Sequence, residues 1–264
     1  MFVAAALALA FLVLPIVAIF ARVSPATLVE QLSRPAVTDA LLVSLKTSAI
    51  AQALVLLLGT PAAYLLATRR FRGRSLAVLL VELPLVLPPA VAGIGLIATF
   101  GRLGLLGGTL AVFGIQLGLT QTAVVLAVAY VSSPLYLRQA IASFEAVDPN
   151  LVAAARTLGA GRARTFFRVV LPLARRGLAA GEALSFARGL GEFGATIMFA
   201  GNLPGVTQTL PLLIYTEFDQ DFTTALAVSA LLVVVSGALL VALRLSLQWQ
   251  PSRPSSRFLF APSR

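Results

Sequence analysis

Read as hydrophobic and polar positions, the chain is a series of long apolar stretches joined by arginine-rich or polar connectors. Residues 2–20 form a run of 19 without a charge, about 28 Å as a helix, which matches the hydrocarbon thickness of a bilayer. No Lys or Arg precedes the run, and it is longer than a signal-peptide core, so it reads as a retained helix. Five further stretches follow: 40–68, containing Lys46 and Pro61; 76–100, interrupted by Pro84, Pro88 and Pro89; 120–141, with Pro134 inside; 177–200; and 223–243. The pattern predicts an all-α polytopic membrane protein of about six spans, with both termini on one side. Residues 101–119 and 201–221 are rich in Gly, Thr, Gln and Pro. They are either plain connectors or irregular backbone lining a water-filled vestibule.

Composition agrees with that class. Hydrophobic residues make up 59% and charged residues 11%, too few charges to cover a soluble fold. Cys and His are both absent, which removes thiol nucleophiles, Cys/His metal sites and imidazole acid–base chemistry. The net charge of +10 comes from 19 Arg and one Lys against ten acids. It points to anionic lipid, not nucleic acid, because of where the arginines fall. The connectors after the second and fourth stretches, with the C-terminal tail, hold 14 positive residues, or 15 with Arg138 just before the second of those connectors; the other three connectors hold three, Arg22, Arg34 and Arg102. The positive-inside rule then places both termini and those two connectors in the cytoplasm.

The connector 142–174 is the most informative. Asp148 or Asn150 suits an N-cap, with Pro149 in the first turn. Leu151, Ala154, Ala155 and Leu158 form an apolar stripe at helical spacing, and Gly159 suits a left-handed C-terminal position. A second short helix is expected over 162–171, stopped by Pro172. A compact pair of helices outside the membrane with an apolar stripe needs a partner surface. The run Ala154-Ala155, Gly159, Val169, Leu171, Pro172 resembles the loop signature of membrane subunits of binding-protein-dependent ABC importers. Such subunits usually carry Glu before the two alanines, where this chain has Ala153. The resemblance implies a type I importer permease fold, with Ala153, Ala154, Ala155, Gly159, Val169, Leu171 and Pro172 docking on a separate P-loop ATPase. It also implies a homodimer, two ATPase subunits holding ATP and Mg, an external substrate-binding protein, and alternating access. This chain supplies no phosphate loop of its own: its single lysine, in Ser44-Leu45-Lys46-Thr47, follows no glycine-rich loop. No cofactor, metal or catalytic activity is expected in the chain itself.

Residues 187–215, with Gly191-Glu192-Phe193-Gly194 and Thr207-Gln208-Thr209-Leu210-Pro211-Leu212, look like the same segment of molybdate/tungstate permeases. Sulfate permeases share the Gly-Glu-Phe-Gly core. An ion-coupled secondary transporter predicts inverted repeats and midplane acids, and neither is clear. An intramembrane hydrolase lacks a convincing catalytic pair. Charges inside spans need a partner or water. Arg188 and Glu192 sit four apart, as an ion pair that tightens packing or as part of an anion path; Gly191, Gly194 and Thr196 lie beside them as pathway or packing candidates. Glu182 has Arg175 and Arg176 as candidate partners, and Lys46 has room to snorkel. Gly177 and Gly181 suit either close helix contact or a sliding wall. The resulting division is 1–34, first helix and external connector; 35–245, the core; and 246–264, a flexible tail.

Overall fold

The computed structural model describes residues 1–248. In chain order the helices are α1 (Phe2–Arg22), α2 (Pro25–Leu32), α3 (Pro35–Thr68), α4 (Arg74–Val86), α5 (Pro89–Phe100), α6 (Gly107–Val112) and α7 (Gln121–Glu145). Then come α8 (Pro149–Thr157), α9 (Arg162–Thr165), a π-turn (Phe166–Val170), α10 (Leu171–Leu190), α11 (Gly194–Ala200), α12 (Leu210–Phe218) and α13 (Phe222–Gln248). The described residues contain no strand. Among them α1, α3, α7 and α13 are each long and apolar enough to cross a membrane. Helices α4 and α5 together make a fifth candidate, bent by 116°. The stretch 177–200 is not one straight span: α10 and α11 are separated at Gly191–Phe193, and α10 carries Arg175, Arg176, Glu182 and Arg188. Hydropathy counts six; length and apolarity count four, or five with the bent pair.

Helix α7 is the axis of the bundle, buried at Ala123, Val124, Ala127, Val128, Tyr136 and Ala140. Helix α3 runs parallel to it, as successive bridges show: Lys46 to Gln121, Gln52 to Ser132, and Thr60 to Tyr136. Helix α10 runs antiparallel to α7, with Gly181 beside Gln139 and Gly189 beside Val128. Apolar clusters join α3, α5, α7 and α11 on one side and α3, α12 and α13 on another. Helix α1 buries none of its residues and meets the rest of the chain chiefly at α13. The bundle has a basic end, with Arg69, Arg74, α8 and α9, and an acidic end, with Asp39 and Glu217–Asp221.

Three local expectations change. Pro172 does not stop a helix: the chain stays helical from Arg162 to Leu190. The π-turn ahead of it makes the Leu171 amide bond to the Phe166 carbonyl, which widens the ladder where proline has no N–H to give. Glu182 pairs with neither Arg175 nor Arg176, and among the described residues its buried Oε2 has no hydrogen-bond partner. Six or seven positions along one helix is about two turns, roughly 10 Å, whereas side chains that meet sit three or four apart. Finally, α13 continues to Gln248, past the start of the expected tail at 246, and 249–264 lie outside the described residues.

Candidate functional site

At the basic end, Asp148 caps α8: its Oδ1 accepts from the Asn150 amide at 2.9 Å, and Pro149 occupies the first turn. Gly159 has φ +82°, and its amide and that of Ala160 close the helix onto Arg156 and Ala155. The segment therefore ends in the left-handed turn that its glycine favours. Its residues divide into two sets. Leu151, Ala154 and Leu158 face outward, Leu158 at 88% exposure, so an apolar ridge stands unpaired. Ala155, Val169 and Leu171 are half-buried, and Leu171 packs with Phe166 and Val152 on the α3–α7–α10 core. Pro172 is exposed. Ala153 lines a cavity of about 590 Å³ between α8 and the ends of α3 and α7.

In the bundle, α10 lies on α7 through small residues. A side chain at Gly177 would overlap Ser143, and one at Gly181 would come within 2.8 Å of Gln139 Cβ. Between Gly181 and Gly189, Ser185 donates within a buried network: its Oγ reaches Gln52 Oε1 at 2.9 Å and the Ser132 carbonyl at 3.0 Å, while Gln52 Nε2 donates to Ser132 Oγ. In an apolar interior such groups hold together three helices because no water competes for them.

The two broken helices meet. A Cβ at Gly93 would lie 2.6 Å from Met198 Cβ, and one at Gly194 would lie 2.7 Å from Pro89 Cβ. Arg188 and Glu192 are in contact at 2.7 Å, with Glu192 at 1% side-chain exposure and Arg188 at 35%. The second carboxylate oxygen of Glu192 accepts from the Ala195 amide at 2.7 Å, so the same residue caps α11. Gly191 ends α10, and Thr196 is wholly buried, its hydroxyl without a partner among the described residues. Helix α10 stops before Glu192, so the pair forms across a helix end and not along one face.

At the acidic end, Arg34 donates to Thr224 Oγ1 at 3.0 Å and lies 3.6 Å from Asp221, joining the start of α3 to the start of α13. Hydrogen bonds from the Thr224 hydroxyl and amide hold the Asp221 carboxyl below the ordinary aspartate range. Residues 207–210 are buried, with the Leu210 amide bonded to Ser44 Oγ of α3 at 2.8 Å. Much of the irregular backbone after α11 is therefore packed against protein.

Residues 56–249 match the model of the binding-protein-dependent transport system inner membrane component. The chain belongs to that family. Among its relatives, the molybdenum transport system permease protein ModB of Mycobacterium tuberculosis is 45% identical over 228 residues, covering 86% of each chain. ModB of Escherichia coli K12 is 46% identical over 179 residues, 67% of this chain and 78% of that one. Solved structures share the fold at lower identity. The MetNI methionine ABC transporter, in an inward-facing form, superposes with a TM-score of 0.64 at 17% identity, covering 80% of this chain and 94% of that one. A bacterial importer of alginate gives 0.66 at 14%, covering 85% and 83%. The fold is that of a type I importer permease, and the chain is a multi-pass inner membrane protein.

Within this inner membrane component the sequence pattern pointed to Gly177, Gly181, Gly191 and Gly194 but passed over Ser185, Gly189 and Gln52. The signal was present: Gly177, Gly181, Ser185 and Gly189 recur every four residues, one small-residue stripe along α10. Gln52 carried no such signal, because a single amide in an apolar run does not reveal its partners.

Proposed function

We propose that the chain is the transmembrane subunit of an ATP-driven importer of molybdate, with tungstate as its close chemical analogue. The observation that carries this reading is the 45% identity over 86% of both chains to a molybdenum transport permease. The basic end faces the cytoplasm and both termini lie there. Two copies surround one pathway, two P-loop ATPase subunits bind ATP and Mg beneath them, and an external binding protein delivers the anion. Helix α8, with its unpaired ridge of Leu151, Ala154 and Leu158, enters the ATPase; Val152 of α8, together with Phe166 and Leu171, anchors it to the bundle, so closure of the ATPase pair moves the helices. A ligand or nucleotide shifts the inward- and outward-facing states only through contacts that differ between them.

The bundle does not hold molybdate strongly. Arg34 is engaged with Asp221 and Arg188 with Glu192, so these two cations are already compensated. Passage requires binding weak enough for release, and selection then belongs to the binding protein. The deciding experiment is uptake of radiolabelled molybdate in cells lacking their own importer but supplied with this chain, its ATPase and its binding protein. ATP-dependent molybdate uptake, competed by tungstate and not by sulfate, is expected; sulfate uptake would replace the reading with a sulfate permease. Orientation has its own test, since the chain has no cysteine of its own. A cysteine at Arg164 should react with an impermeant reagent only from the cytoplasm and one at Gly205 only from outside. Reaction of both from one side would reject the topology.

A further inference from the structure

The cavity of about 590 Å³ at the basic end has arginine on its walls from three places: Arg69 at the end of α3, Arg156 on α8 and Arg162 on α9. The one carboxylate lining it, Glu145, is already taken, because Arg74 binds it and also donates to the Leu66 carbonyl at 2.6 Å. Among the described residues, Arg69, Arg156 and Arg162 make no ion pair. Three guanidinium groups around one hollow repel each other, and an anion placed between them relieves that repulsion. The planar fork of arginine suits a tetrahedral oxyanion, and the volume falls in the range of small-ligand sites. The floor is apolar and aromatic, with Tyr64 and Phe144 in edge contact at 5.4 Å.

We propose that this cavity is an anion site for a phosphate group, carried either by the headgroup of an anionic lipid in the adjoining leaflet or by a free phosphate. The site is separate from the transport path and stands whether or not the cargo is molybdate. Ala153 makes it testable without removing a cation, since Ala153→Glu puts a carboxylate on the cavity wall where the anion would sit. Arg69→Gln removes a cation from a different element. The purified full-length permease is tested in two arms: native mass spectrometry after delipidation and exposure to phosphatidylglycerol or phosphatidylcholine, and equilibrium dialysis with radiolabelled inorganic phosphate. Preferential retention of phosphatidylglycerol without phosphate binding assigns the group to lipid; phosphate binding in the absence of lipid assigns it to a soluble anion. In either case the affinity should fall about tenfold in each variant, the scale of one charge-assisted contact. Arg176→Gln, at an exposed arginine outside the cavity, should leave it unchanged. Equal retention of the two lipids together with no phosphate binding overturns the proposal. So does binding that both Ala153→Glu and Arg69→Gln leave intact.

Discussion

The seam between α7 and α10 and the short helix α8 are built on opposite terms. In the seam, Gly177, Gly181 and Gly189 let two backbones close on each other, and the polar atoms of Gln52, Ser132 and Ser185 find partners within the protein. In α8, the polar termini are satisfied by Asp148 and Gly159, while Leu151 and Leu158 are left exposed. One region is complete in the single chain; the other is complete only in its caps. Substitutions in the seam should therefore damage the molecule itself, and substitutions in α8 should damage what the molecule does with a partner.

The largest effect is expected in the seam. Gly181→Leu forces a branched side chain into the space of Gln139, an overpacking that costs about 3 kcal/mol or more in a filled interior. Fluorescence-detected size-exclusion in mild detergent should show loss of the monodisperse species; a normal profile and melting point would refute the close packing. A smaller effect is expected at the broken helix. Arg188→Ala leaves Glu192 buried and without its cation, a loss of about 2 kcal/mol once the partial exposure of Arg188 is discounted. Adding Glu192→Gln should recover much of the melting temperature. If Arg188 instead holds cargo, the purified permease will bind molybdate at micromolar levels and lose that binding in Arg188→Ala, with stability unchanged. The smallest structural effect belongs to α8. Nothing lies within 4 Å of a Cβ at Gly159, so Gly159→Val costs only the left-handed backbone, about 1 to 2 kcal/mol and local. Its melting point should stay near that of the parent, while transport per ATP hydrolysed falls severalfold. A variant that transports normally would remove α8 from the coupling role.

What is readable in the sequence follows the same division. The caps of α8 were legible because capping is local: Asp148, Pro149 and Gly159 each act within a few residues. The bend at residues 87–88 was visible as a cluster of prolines in an apolar run. The continuation of helix past Pro172 was not, because a π-turn depends on the surrounding packing and leaves no composition mark. The spacing of Arg188 and Glu192 marks them as neighbours, yet the role of Glu192 as a cap for α11 follows only from the end of α10 at Leu190. Which arginines share the hollow behind Ala153 was beyond a linear reading, since Arg69 is brought there from a helix almost ninety positions away from Arg156.

The sharp turn between α4 and α5 has one more consequence, for the cost of making the protein in lipid. A helix start normally strands four amide hydrogens, and each one left bare in hydrocarbon is expensive. Here the cap and first position are Pro88 and Pro89, which have no amide hydrogen, and the Ala92 amide is already bonded to the Pro88 carbonyl. Only Ala90 and Val91 are left to seek acceptors. Two adjacent prolines thus bend the chain by 116° and at the same stroke halve the solvation debt of doing so inside a membrane.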